Sequence, residues 1–146
     1  MLRLIQELES DSPDRTRAAG AEFAQRLQIN DVVEIIGELG AGKTTLVQGV
    51  CRGLGYAGVA LSPSFVHIRT YQGRWPIYHV DLYLSETTAA VADLGLDELF
   101  TSGGVTLVEW SDKHPELAAD AAWRIKIEWP PGQSASIRKI QIFARS

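Results

Sequence analysis

Apolar positions along the chain repeat at two different spacings, and the changes of spacing outline its elements. Leu2-Arg3-Leu4-Ile5 reads as a short first strand. Ser12 as N-cap, Pro13 as first helical residue and Asp14 in the first turn then open a helix. Its apolar residues Ala19, Phe23, Ala24 and Leu27 recur at helical spacing, which predicts a helix to about Leu27 laid against a sheet. A β-rich run, Val32 to Ile36, is followed by a second helical stripe, Leu46, Val47, Val50 and Leu54, with Gly53 and Gly55 as its stop. Phe65 to Tyr71 and Arg74 to Val80 suit two strands joined by Gln72-Gly73 as a two-residue hairpin, and Asp81 ends the second. Ser85 to Ala92 reads as a short helix ending near Gly95, with a further turn from Leu96 to Phe100. Gly103-Gly104 resets the chain, and Val105 to Val108 is an apolar run ending on Glu109, as a buried strand would be. Trp123, Ile125, Ile127 and Trp129 then alternate with Arg124, Lys126 and Glu128; Pro130-Pro131-Gly132 turns the chain, and Ile137 to Phe143 forms the second half of an antiparallel hairpin.

Between the β-rich run and the second helical stripe stands Gly37-Glu38-Leu39-Gly40-Ala41-Gly42-Lys43-Thr44, which fits GxxxxGK[ST]. Glycines at these positions let backbone N–H groups turn inward around phosphate oxygens while the loop opens onto a helix N-terminus. Lys43 can reach terminal phosphates as a point charge, the Thr44 hydroxyl is placed to join the shell of a phosphate-bound magnesium ion, and Thr45 is a spare hydroxyl. The start of the first helix is a further candidate neighbour of the nucleotide. In an open α/β sheet ligands lie beyond the carboxyl ends of strands, which brings Ser62, Ser64, Asp81 and Glu109 into question. Glu109 has the arrangement of a Walker B acid, with Trp110 beside it to pack or shield the site. From position alone Asp81 is better read as a strand-end turn residue.

Composition narrows the picture. At 146 residues and 45% apolar content the chain makes one compact domain spanning residues 1–146. A net charge of -4 argues against the chain alone gripping a nucleic-acid backbone, so any such connection runs through a partner. One cysteine, Cys51, reads as a small packed hydrophobe, and the absence of a signal-like or long apolar segment leads us to expect a cytoplasmic protein without membrane contact. His67, His79 and His114 show no zinc-ligand spacing; His79 is expected to pack, with orienting Asp81 as the alternative, and Arg138 to be solvated, with reaching a ligand as the alternative. No NKxD or DxxG element marks a guanine enzyme, which leaves adenine as the default base. Arg52, Arg69 and Arg74 are scattered rather than clustered as in the lid of a small-molecule kinase.

Taken together, the loop through Thr45, Ser62-Pro63-Ser64-Phe65, His79-Val80-Asp81-Leu82-Tyr83, Leu94-Gly95-Leu96 and Val108-Glu109-Trp110 resemble, in order and spacing, the TsaE (YjeE) family. These are bacterial ATPases needed for threonylcarbamoyl modification of adenosine in tRNA. The resemblance implies an α/β P-loop nucleotide-binding fold, three-layered, with a mixed central sheet and the C-terminal antiparallel hairpin. It implies ATP and ADP with Mg2+ as ligands, weak hydrolysis alone, and stimulation by the TsaD and TsaB proteins, with tRNA reached through that complex. Carried over by motif, Gly37 to Thr45 bind the nucleotide, Thr44 and Glu109 hold magnesium, and Asp81 with Lys43 serves catalysis, which overrules the positional reading of Asp81. Two departures stand out: Leu84 replaces the family's arginine, and Ser64 replaces its threonine while keeping the hydroxyl. A small-molecule phosphotransferase and a nucleotide-sensing module without hydrolysis are the competing readings.

Overall fold

A computed structural model describes residues 2–61, 67–83, 95–111, 114–115 and 121–145. In chain order these form β1 (Leu2–Ser10), α1 (Pro13–Ala24), β2 (Val32–Ile36), α2 (Lys43–Gly53), β3 (Ile68–Gln72), β4 (Pro76–Asp81), α3 (Leu96–Phe100), β5 (Val105–Glu109), β6 (Trp123–Glu128) and β7 (Arg138–Arg145). The strands make one seven-stranded mixed sheet in the order β1-β7-β6-β2-β5-β4-β3. Its centre, β6-β2-β5-β4, is parallel, whereas β3, β7 and β1 each join by antiparallel pairing. The helix expected from Ser85 to Ala92, Leu84, and the Ser62 to Phe65 segment lie outside the described residues.

Alternation along the central strands gives the sheet two buried faces. Val33, Ile35, Leu107, Ile125 and Ile127 pack with Phe23, Leu46, Val47 and Val50 of α1 and α2. Val32, Val80 and Val108 pack with Leu96 and Phe100 of α3 on the other side. Among the described residues no helix is long and apolar enough to cross a membrane.

Local chemistry explains the boundaries. Ser12 accepts the Arg15 N–H at 3.1 Å and Pro13 occupies the first turn, as a capped helix start requires. α1 ends at Ala24, earlier than its apolar stripe suggested; Leu27, still buried, belongs to the following turn. Nor does α1 lie mainly on the sheet. It crosses α2, where a Cβ on Gly49 would stand 2.1 Å from the Arg17 carbonyl oxygen and one on Gly20 would stand 2.5 Å from that of Leu46.

Two strand expectations are corrected. β1 runs to Ser10 rather than Ile5, because it is an edge strand paired along Arg138–Arg145 and its outward positions carry Glu7 and Glu9 without breaking the ladder. The β3–β4 turn contains three residues, Gly73-Arg74-Trp75, since Gln72 pairs with Pro76; Gly73 lies so close to α2's end that a Cβ would stand 2.6 Å from the Leu54 carbonyl oxygen. The C-terminal antiparallel hairpin is present as expected in β6 and β7, and β1 completes the edge beyond β7.

Candidate functional site

Parallel pairing aligns the strand ends. Ile35 pairs with Glu109, and Glu109 with Asp81, so the two carboxylates stand side by side on the α2 face of the sheet, both nearly buried. Beside them β2 runs into the glycine-rich loop and the loop into α2. Gly42 caps that helix at φ +109, a left-handed conformation open to glycine, and among the described residues no side chain caps the helix start. Gly37 is required for a different reason: a Cβ there would stand 2.5 Å from the Ile127 carbonyl oxygen of β6.

The side chains of the loop divide into two sets. Ala41 is fully buried, with its N–H donated to the Glu38 carbonyl at 3.0 Å, while the Glu38 and Leu39 side chains are exposed. Lys43 is 6% exposed, and its Nζ donates to the carbonyl oxygens of Gly37 and, at 3.1 Å, Glu38, while lying 3.8 Å from the centre of the Trp110 indole. Lys43, Thr44 and Thr45 then line a cleft of about 470 Å³ together with Asp81, Glu109, Tyr83 and Trp110. Asp81 Oδ1 accepts the Tyr83 N–H at 2.8 Å, so its carboxylate does act in a turn while it also borders the cleft. On the other side of the loop a second cleft, about 290 Å³, shares Gly40, Gly42 and Thr45 with the first and is closed by Ser12, Pro13 and Thr16 of the α1 start and by Arg138.

Two readings are revised here: His79 packs as expected but bonds a different carboxylate, and Arg138 is held by the loop. His79 serves Glu109, not Asp81: it is fully buried, its Nε2 donates to Glu109 Oε2, and its Nδ1 has no partner among the described residues. Side chains of His79 and Asp81 do share a face, but the neighbouring strand brings Glu109 nearer to the ring. Arg138 is not simply solvated. Its Nε donates to the Ala41 carbonyl at 2.9 Å, its Nη1 donates to Ala135 and Ile137 carbonyls, and its guanidinium lies 4.5 Å from the Trp129 ring centre. A strand far along the chain thus holds the turn of the loop. Glu34 was passed over within the β-rich run, although a charge among Val32, Val33, Ile35 and Ile36 is itself a signal; it is 2% exposed and bonded to Ser111 and Arg124.

The donor set facing the first cleft is all oxygen: the Thr44 hydroxyl and the carboxylates of Asp81 and Glu109. That chemistry suits magnesium, which takes one or two protein ligands together with phosphate oxygens and water. Among the described residues there is no cluster of three or more His, Cys, Asp or Glu that would form an all-protein cage. Cys51 takes no part, being packed in α2 with its thiol pushed up to about 12 by burial.

A family model described as "Threonylcarbamoyl adenosine biosynthesis protein TsaE" matches residues 10–139. The chain is 43% identical over 101 residues to the tRNA threonylcarbamoyladenosine biosynthesis protein TsaE of Bacillus subtilis (strain 168), covering 68% of this chain and 63% of that protein. To the TsaE protein of Streptomyces coelicolor it is 38% identical over 123 residues, 82% of each chain. It spans 65% of the Synechocystis relative, so two of these relatives are matched over less than two thirds of their length. The crystal structure of Bacillus subtilis YdiB superposes with a TM-score of 0.75 at 30% identity, covering 100% of this chain and 88% of that one.

Proposed function

The chain belongs to the TsaE family of tRNA threonylcarbamoyladenosine biosynthesis proteins, and from that premise we propose that it is the P-loop ATPase of this machinery, binding ATP with Mg2+ and hydrolysing it to ADP. The observation that carries the reading is the register Ile35–Glu109–Asp81, which sets two carboxylates beside Lys43 and Thr44 at the uncapped start of α2. Backbone N–H groups of the loop and of the first turn of α2 would receive the phosphates, favoured by the helix dipole. Lys43 is already poised there; on binding, its ammonium exchanges loop carbonyls for phosphate oxygens. Magnesium, held by Thr44 and Glu109, would neutralise charge on the terminal phosphates. Asp81 would orient the attacking water, its geometry fixed by the Tyr83 N–H. The second cleft, contiguous through Gly40, Gly42 and Thr45, would take the nucleoside against the α1 start.

No arginine lines the first cleft among the described residues. A P-loop enzyme without one hydrolyses slowly until a partner supplies the missing charge, which supports weak activity alone and stimulation by TsaD and TsaB in the cytoplasm, with tRNA engaged through them. Release of inorganic phosphate from ATP, measured without any acceptor and with or without TsaD and TsaB, tests this. The expected result is slow release that rises severalfold or more with the partners. Phosphate transfer that requires a small-molecule acceptor, or full turnover by the chain alone, would refute it.

A further inference from the structure

Glu34 stands midway along the central strand β2, on the face turned away from α2, and a buried carboxylate there is costly compared with a packed hydrophobe. Both of its oxygens are committed. Oε1 accepts from Arg124 Nη2 at 3.1 Å, across the β2–β6 pairing, and Oε2 accepts from the Ser111 hydroxyl at 2.8 Å, although Ser111 is 77 positions away in sequence. Ser111 is 1% exposed. Upstream, the Glu109 carbonyl accepts the Leu82 N–H at 3.1 Å. Between these two anchored residues Trp110 takes φ +64, a conformation uncommon for a bulky side chain and retained only where the surroundings impose it. Its indole consequently lies 4.8 Å from the Tyr83 ring, centre to centre, and 3.8 Å from Lys43 Nζ.

We propose that Glu34, Arg124 and Ser111 form a brace that holds Trp110 left-handed with its ring over the Lys43 ammonium, and that they are positioning residues for the phosphate-binding lysine. The role assigned to Lys43 rests on the nucleotide reading above; the effect of the brace on Trp110 does not. Specification of one local geometry is a use to which a largely buried carboxylate and its ion pair are suited, and here the geometry specified is a strained backbone that reaches the lysine from the opposite side of the sheet.

The test uses the full chain labelled with 5-fluorotryptophan, which gives one fluorine resonance each for Trp75, Trp110, Trp123 and Trp129, with Trp110 assigned by Trp110→Phe. Ser111→Ala should shift or broaden the Trp110 resonance alone and weaken ATP binding about three- to tenfold, a loss of roughly 0.6–1.4 kcal/mol. Ser111→Thr, which keeps the hydroxyl, should restore both. An unmoved Trp110 resonance overturns the brace, and so does movement of all four resonances, which would mark general loosening; should Ser111→Ala fail to fold, Glu34→Gln paired with Ser111→Thr is read by the same criterion. A moved Trp110 with unchanged ATP affinity overturns the link to Lys43. A parent chain that binds no ATP refutes the nucleotide reading, and the fluorine spectrum then still decides the brace.

Discussion

Replacing His79 with leucine separates what that side chain does for Glu109 from what it does for the core. The ring is fully buried, with Nε2 donating to Glu109 and Nδ1 unpartnered among the described residues. His79→Leu deletes a hydrogen bond to a charged group, worth about 1.5–3 kcal/mol, and also removes an unsatisfied buried nitrogen whose burial costs about 1–3 kcal/mol. These terms oppose each other, and leucine is close enough in volume to leave no large cavity. The net change in folding stability should therefore stay within about 1 kcal/mol, a shift of the melting midpoint of no more than about 4 °C for a domain of this length. Magnesium handling should not survive so well, because losing the partner that orients a metal ligand typically costs about 10- to 100-fold in metal affinity. Calorimetric titration of ATP with and without Mg2+ reads both quantities. The expected result is an unchanged magnesium-free affinity, set by Lys43 and the loop, with half-saturating Mg2+ raised about tenfold or more. His79→Gln, which returns an N–H near the position of Nε2, should recover part of the loss. Unaltered magnesium dependence in the leucine variant, or a melting midpoint lowered by much more than the few degrees above, would refute the reasoning.

Asp81→Asn keeps the oxygen that accepts the Tyr83 N–H and removes the charge, so ATP binding should stay within about threefold while turnover with the partners falls by about two orders of magnitude or more; hydrolysis at the parent rate would return Asp81 to a turn residue. Arg138→Ala removes the donor to the Ala41 carbonyl, worth about 1.5–3 kcal/mol, and should lower the melting midpoint by about 3–10 °C and weaken ATP binding. A variant that melts and binds like the parent would make that arginine a solvated surface residue. Cys51 holds its proton up to about 12 in the folded state, against about 8.5 for a free thiol, so its contribution to stability is complete below the lower value and is lost as pH rises toward the upper one. Between pH 8 and pH 10.5 the melting midpoint of the parent should consequently fall more steeply than that of Cys51→Ala; parallel curves would disprove it.

What could be read from residues alone was whatever the chemistry confines to a short stretch. The glycine-rich loop has particular residue types at particular spacings, which singled out Lys43 and Thr44, and Glu109 ends an apolar strand; Asp81, by position a turn residue, was picked out by the family motif, and the structure brings these four to one cleft. Long-range partnerships left almost no trace. Arg138 meets Ala41 across 97 positions, Ser111 meets Glu34 across 77 and His79 meets Glu109 across 30, and each meeting depends on strand order rather than on local pattern. The length of β1 was hidden for a related reason, since an edge strand with one wet side tolerates polar residues that obscure its period. The α1–α2 crossing was legible in principle from Gly20 and Gly49, two glycines inside helices, where they cost stability unless something must come close.

The placement of β7 between β1 and β6 also orders events in time. β1 is the first of the ten described elements to be synthesised and pairs with the last of them, Leu2 opposite Arg145, so one end of the sheet must wait for nearly the whole described chain. Such distant pairing slows folding and leaves an unmatched strand open to the wrong neighbours in the interval. The charges of Arg3, Glu7 and Glu9 would discourage such misassociation meanwhile. The glycine-rich turn shares this schedule. Its own residues are made early, but the arginine that grips Ala41 arrives with β7, so a nascent chain halted before Arg138 carries the complete motif without the grip that shapes it.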